Sequence, residues 1–98
     1  MRLSQDEHAA ITEAVHSVFG ENAEVRLFGS RAQDSRRGGD IDLYIEVEPD
    51  RYSYERELDL HTELWKRIGE QKIDILVHKR GQPRTPIERI AVNTGVPL

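Results

Sequence analysis

The chain has 98 residues, of which 37% are hydrophobic and 33% charged, with a formal net charge of −4 and no cysteine. That length predicts one domain spanning residues 1–98, with a modest core beneath a charged surface. The composition excludes disulfide and thiolate chemistry. The acidic balance opposes direct nucleic-acid binding, which needs a basic footprint. No segment approaches the roughly 20 apolar residues of a membrane span. The polar, acidic start Met1–Glu7 lacks the apolar stretch of a signal peptide, so the expected setting is the cytoplasm, away from membranes.

Ser4 and Glu7 predict a capping box at the start of a first helix, with Ile11, Ala14, Val15 and Val18 at helical spacing and Gly20 as its stop. A first strand follows over about 23–28. It runs into a Gly29-Ser30 turn and a polar stretch carrying Arg31, Arg36 and Arg37. The second strand alternates cleanly: Ile41, Leu43, Ile45 and Val47 face one way, and Asp40, Asp42, Tyr44 and Glu46 the other. Pro49-Asp50 ends it. A second helix over about 54–68 directs Leu58, Leu64, Trp65 and Ile68 toward the core and stops at Gly69. In the third strand Ile73, Ile75 and Val77 face the core, leaving Asp74 and His78 on the opposite face. Thr85, Pro86 and Glu88 then open a short third helix that Gly95 closes.

The strand–helix–strand unit predicts a parallel, right-handed pairing, and the loop between the first two strands an antiparallel one. The expected class is α/β (α+β): a small mixed sheet with helices packed on its aliphatic face and its acidic face partly open. A three-stranded sheet leaves an edge that invites self-association into a homo-oligomer or docking of a partner.

Asp40 and Asp42 project from one strand face with Cα atoms about 6.5–7 Å apart. If the third strand lies beside the second, Asp74 joins them. Three carboxylates without a charge partner repel one another, and Mg²⁺ or Mn²⁺ relieves that while keeping coordination positions for substrate phosphates. Gly29 lets backbone approach a phosphate closely, and Ser30 and its following N–H groups can donate to it. Arg31, or Arg36 and Arg37, can neutralise a leaving pyrophosphate. The reaction class this combination implies is nucleotidyl transfer, a hydroxyl attacking the α-phosphate of a nucleoside triphosphate.

The segment LFGSRAQDSRRGGDIDLYI followed by KIDILV resembles the minimal nucleotidyltransferases of the polymerase-beta-like superfamily. Their pattern is a Gly-Ser turn, a spacer of about nine or ten residues, Asp-x-Asp, and a third acid on a later strand. It falls here on Gly29, Ser30, Asp40, Asp42 and Asp74. The resemblance implies Asp40, Asp42 and Asp74 as catalytic metal ligands, Asp74 lying nearest the attacking hydroxyl, with Gly29, Ser30 and Arg31 on the triphosphate and ATP as substrate. Short members resemble MntA-type antitoxins, which transfer AMP onto a tyrosine of a helical HEPN-fold RNase toxin. The roughly twenty residues after the third strand are too few for the acceptor-binding helical domain of larger members such as aminoglycoside nucleotidyltransferases, so the expected acceptor is supplied by a partner protein. Two alternatives stay open: an antitoxin acting by occlusion without catalysis, and the catalytic subunit of a small-molecule nucleotidyltransferase.

Other residues read more plainly. His8, His16 and His61 have no ligand spacing with a third donor. His78 shares the Asp74 face and is expected at an edge. Trp65 is expected in the core, Tyr44 against the nucleotide or over the sheet, and Tyr52 and Tyr54 at the surface or in an interface.

Overall fold

A computed structural model describes residues 3–29 and 40–98. In chain order its elements are helix α1 (Gln5–Phe19), strand β1 (Glu24–Phe28), strand β2 (Ile41–Val47), a 3-10 turn (Pro49–Arg51), helix α2 (Tyr54–Ile68), strand β3 (Ile73–Lys79), helix α3 (Pro86–Thr94) and a short strand β4 (Val96–Pro97). Both capping boxes close. Ser4 Oγ accepts from Glu7 N at 3.0 Å while Glu7 Oε1 accepts from Ser4 N at 3.1 Å, and Thr85 and Glu88 do the same at 3.3 and 2.7 Å. Each satisfies two helix-end N–H groups that otherwise lack partners. Ser4→Ala should therefore lower unfolding free energy by about 1 kcal/mol, read by urea titration with an unchanged m-value.

The sheet order is β3-β2-β1-β4. β1 runs antiparallel to β2, and β3 runs parallel to β2 after the α2 crossover. The core lies between α1, α2 and the aliphatic sheet face. Ile11, Ala14, Val15 and Phe19 of α1 meet Val25, Leu27, Ile41, Leu43, Ile45 and Val47 of the strands and Leu60 and Leu64 of α2. Arg67 of α2 joins Glu13 of α1 at 3.0 Å across the surface of this layer.

Three expectations are corrected. In α2, Leu60 and Leu64 are buried, whereas Leu58 and Trp65 are each 48% exposed. Leu60, Leu64 and Ile68 form one helical line; Tyr54, Leu58 and Trp65 form a second, about 100° around the helix. The apolar positions exceed one face, and packing against α1 and the sheet selects the first line. Trp65 instead lies against the surface, its indole N–H donating to the Gln71 carbonyl at 3.3 Å.

The second concerns His78, which does lie on the edge strand β3 but is buried there, at 5% exposure. While α1 and α2 cover the aliphatic face, α3 crosses part of the other one, bringing Glu88 within 3.4 Å of His78. Its closing Gly95 abuts β1. A Cβ there would overlap the Ala91 carbonyl and come within 3.3 Å of the Leu27 carbonyl. The third is β4, which adds a strand beside β1 and is fastened by Leu98 N donating to Val25 O at 3.0 Å. Two residues, one of them proline, carry no strand periodicity to read.

Candidate active site

The non-aliphatic sheet face is organised in rows by strand register. Phe28, Asp42 and Asp74 are opposite one another on β1, β2 and β3; Arg26, Tyr44 and Leu76 form the next row; Glu24, Glu46 and His78 form the third. Parallel pairing of β2 with β3 sets Asp42 beside Asp74 across one interstrand spacing, about 4.8 Å. Burial first, then the charge of Asp74, a side-chain hydrogen bond with Asp74 and the charge of Asp40 hold the Asp42 carboxyl above the usual aspartate range; Lys72 acts the other way. Asp74 itself is exposed.

Asp40 precedes β2 and is turned toward Lys72, whose Nζ stands 3.4 Å from Asp40 Oδ2. Ile41 N donates to the Lys72 carbonyl at 3.2 Å, so this pair extends the β2–β3 register by one position. Gly29 follows β1 directly and closes the floor. Its φ is +74°, a left-handed conformation, and a Cβ at this position would overlap the Asp42 carboxylate. Only glycine meets both demands without displacing that side chain. Ser30, Arg31, Arg36 and Arg37 lie outside the described residues.

The structure thus brings Asp42, Asp74 and Gly29 together and holds Asp40 nearby on Lys72. Among the described residues no three His, Cys, Asp or Glu side chains are gathered closely enough to hold a metal ion. The donors present still fit a hard divalent cation. Asp42 and Asp74 form an adjacent carboxylate pair, the Asp42 carboxyl held up by burial and by the charge beside it, and Mg²⁺ is commonly held by one or two carboxylates with waters and substrate oxygens completing its shell.

The other end of this face is closed by a network that sequence reasoning missed. Tyr44, 1% exposed, donates its hydroxyl to Glu46 Oε1 at 2.8 Å and accepts from Arg84 Nε at 3.0 Å; Arg84 also bonds Glu46. Burial pushes the Tyr44 phenol up to about 12. Arg80 reaches Glu48 at 2.7 Å, Glu24 at 3.1 Å and Glu46 at 3.7 Å. His78 stacks on Tyr44, with ring centroids 6.2 Å apart. Tyr44 therefore covers the sheet beneath α3. The alternation of β2 marks Tyr44 and Glu46 as sharing the acidic face, but no spacing rule connects them to an arginine in a distant loop.

Burial alone would raise the Glu46 carboxyl, yet hydrogen bonds from Arg84 and Tyr44 with the Arg84 charge outweigh it and hold the group below its ordinary value of 4.5. A depressed folded-state pKa stabilises the protein above the unfolded-state value, and that contribution is lost as pH falls through the folded one. Glu46→Gln should therefore flatten the acid limb of the melting-temperature profile below about pH 4.5, as followed by circular dichroism.

A small mixed sheet with a glycine turn under paired aspartates defines a nucleotidyltransferase-type scaffold. Residues 9–96 match the family described as "Nucleotidyltransferase domain", and the chain belongs to that family. Its general activity is accordingly nucleotidyl transfer. No curated protein and no solved structure matches the chain. Among the described residues no helix is long and apolar enough to cross a membrane.

Proposed function

We propose that this chain moves AMP from ATP onto a hydroxyl of a partner protein, as the antitoxin of a pair with a helical HEPN-type toxin. The observation that carries the transfer chemistry is the Asp42–Asp74 pair seated over Gly29. Asp42 and Asp74 would hold the divalent ion, and Asp40 would join them once its carboxylate leaves Lys72. Mg²⁺ or Mn²⁺, when bound, supplies charge neutralisation for the triphosphate and favours ionisation of the attacking hydroxyl. Gly29 admits the triphosphate close to backbone, and Ser30 and Arg31 contact it. The acceptor oxygen bonds to the α-phosphorus, the bond to the bridging oxygen of the β-phosphate breaks, and pyrophosphate leaves. The exposed Asp74 carboxylate takes the acceptor proton.

A protein acceptor is supported by the exposed surface of α3. Helix α3 lies over the same sheet face and presents Ile87 and Ile90 to solvent at 49% and 54% exposure. Exposed aliphatic side chains on the sheet face that carries the carboxylates suit a protein surface better than a small polar acceptor. The toxin–antitoxin assignment is supported by the resemblance of the Gly29-to-Asp74 segment to MntA-type proteins.

The test is to incubate the chain with Mg²⁺, each nucleoside triphosphate and the protein that co-purifies with it, and to weigh the partner by intact mass. An increment of one or more nucleotides on the partner, lost with Asp42→Ala, is the expected result. A tight complex without modification, unchanged by that substitution, would replace transfer by occlusion. Modification of an antibiotic or metabolite alone would replace the protein acceptor.

A further inference from the structure

The second apolar line of α2 is left over by the fold. Tyr54, Leu58 and Trp65 are 65%, 48% and 48% exposed. Their spacings of four and seven residues align them along one stripe, about 16 Å from first to last. The stripe points away from α1, since Arg67, on the opposite flank, pairs with Glu13 there. It opens on the β3 side, where Trp65 is fixed by its bond to the Gln71 carbonyl ahead of the strand. β3 is itself a sheet edge. Large aromatics held in a line on an otherwise charged helix are characteristic of an interface centre.

The charges beside the stripe indicate what covers it. On the solvent-side flank of α2, Glu55 and Asp59 occupy the N-terminal half and Lys66 the C-terminal half; all three are exposed. Among the described residues Lys66 pairs only with Glu63, at 3.7 Å, and its side chain is 68% exposed. Two copies of α2 packed antiparallel about a two-fold axis bring this flank against itself, because in antiparallel helix pairs like flanks meet. Glu55 of each copy then faces Lys66 of the other, Tyr54 faces Trp65, and Leu58 meets the His61 turn. Every contact is repeated by symmetry, and the assembly closes at two. A parallel pair would instead turn this flank toward the opposite flank of the second copy, and the Glu55–Lys66 pairing would be lost.

We propose that the Tyr54–Leu58–Trp65 face of α2 is a homodimer interface, occupied by α2 of a second copy of this chain in antiparallel register. The pairing is independent of the proposed acceptor and nucleotide. α2 packs on the aliphatic side of the sheet, so the Asp42–Asp74 face of each copy stays open.

Sedimentation equilibrium of the purified chain, from low to high micromolar concentration, tests it. The expected mass rises from 11.3 kDa toward twice that value. Leu58→Asp should leave it at the lower value throughout. Glu55→Lys, which sets the introduced lysine against Lys66, should weaken association about tenfold, and the double variant Glu55→Lys/Lys66→Glu should recover it. These positions are exposed, and far-UV circular dichroism checks that each variant is folded. A monomer at every concentration overturns the proposal, even if the stripe then binds a different protein. A dimer indifferent to Leu58→Asp, or a double swap no better than the single one, overturns it as well.

Discussion

Replacing Asp42 by asparagine should lower nucleotidyl transfer about a thousandfold or more and raise the melting temperature of the metal-free protein. The two effects have one cause. Asp42 is the more enclosed member of the carboxylate pair, and burial together with Asp74 and Asp40 disfavours its charged form. Asparagine keeps the shape and removes one of the repelling charges, so the metal-free fold gains stability, roughly a few degrees in melting temperature. The same change removes an anionic oxygen from a set of only two adjacent carboxylates. Loss of one electrostatic element at a phosphoryl-transfer centre typically costs a factor of about 10²–10³, and loss of a metal ligand adds to that. Activity and stability thus move in opposite directions, as expected where a site is assembled at the fold's expense. Asp74→Asn should show the same loss of transfer with a smaller gain in melting temperature, because Asp74 is exposed and solvent already screens its charge. Initial rates at saturating Mg²⁺ and thermal scans in chelator provide the two readouts. A variant that transfers normally would remove Asp42 from the chemistry.

The site was legible where it depends on local periodicity and chain topology. Alternation along β2 separates Asp42 from the core residues. A helix of ordinary length between β2 and β3 makes their pairing parallel, and that pairing makes Asp42 and Asp74 neighbours. The capping boxes at Ser4 and Thr85 were legible for the same reason, since each is written within four residues. What escaped depends on packing between distant segments. Leu58 and Leu60 are both plausible core positions from composition, and only the approach direction of α1 and the sheet decides between them. The path of α3 across the acidic face follows from the close fit of Gly95 against β1, which has no spacing signature. That path buries Tyr44 and His78, so a histidine on the edge strand becomes part of the packing under α3. Asp40 shows the boundary between the two kinds of information. Periodicity puts it on the Asp42 face, but Lys72, its register neighbour, decides where its carboxylate points.

Gly29→Ala should damage both the fold and the reaction, and the damage should be smaller when Asp42 is shortened. Two independent costs meet at this position. The backbone φ of +74° is disfavoured for any residue with a Cβ, by roughly 1–2 kcal/mol. In addition, the new methyl would overlap the Asp42 carboxylate, so either the turn or the carboxylate must move. Displacement of about 1 Å at a reacting centre can lower the rate about a hundredfold. The conformational cost belongs to Gly29 alone, whereas the steric one belongs to the pair. In a double-mutant cycle with Asp42→Ala, stability lost to Gly29→Ala should fall toward the conformational cost, leaving a coupling energy of about 1 kcal/mol or more. Urea denaturation of the four proteins measures it. Strict additivity would mean that the turn and the carboxylate relax apart freely, and the tight seating of Asp42 over Gly29 would then have no energetic consequence.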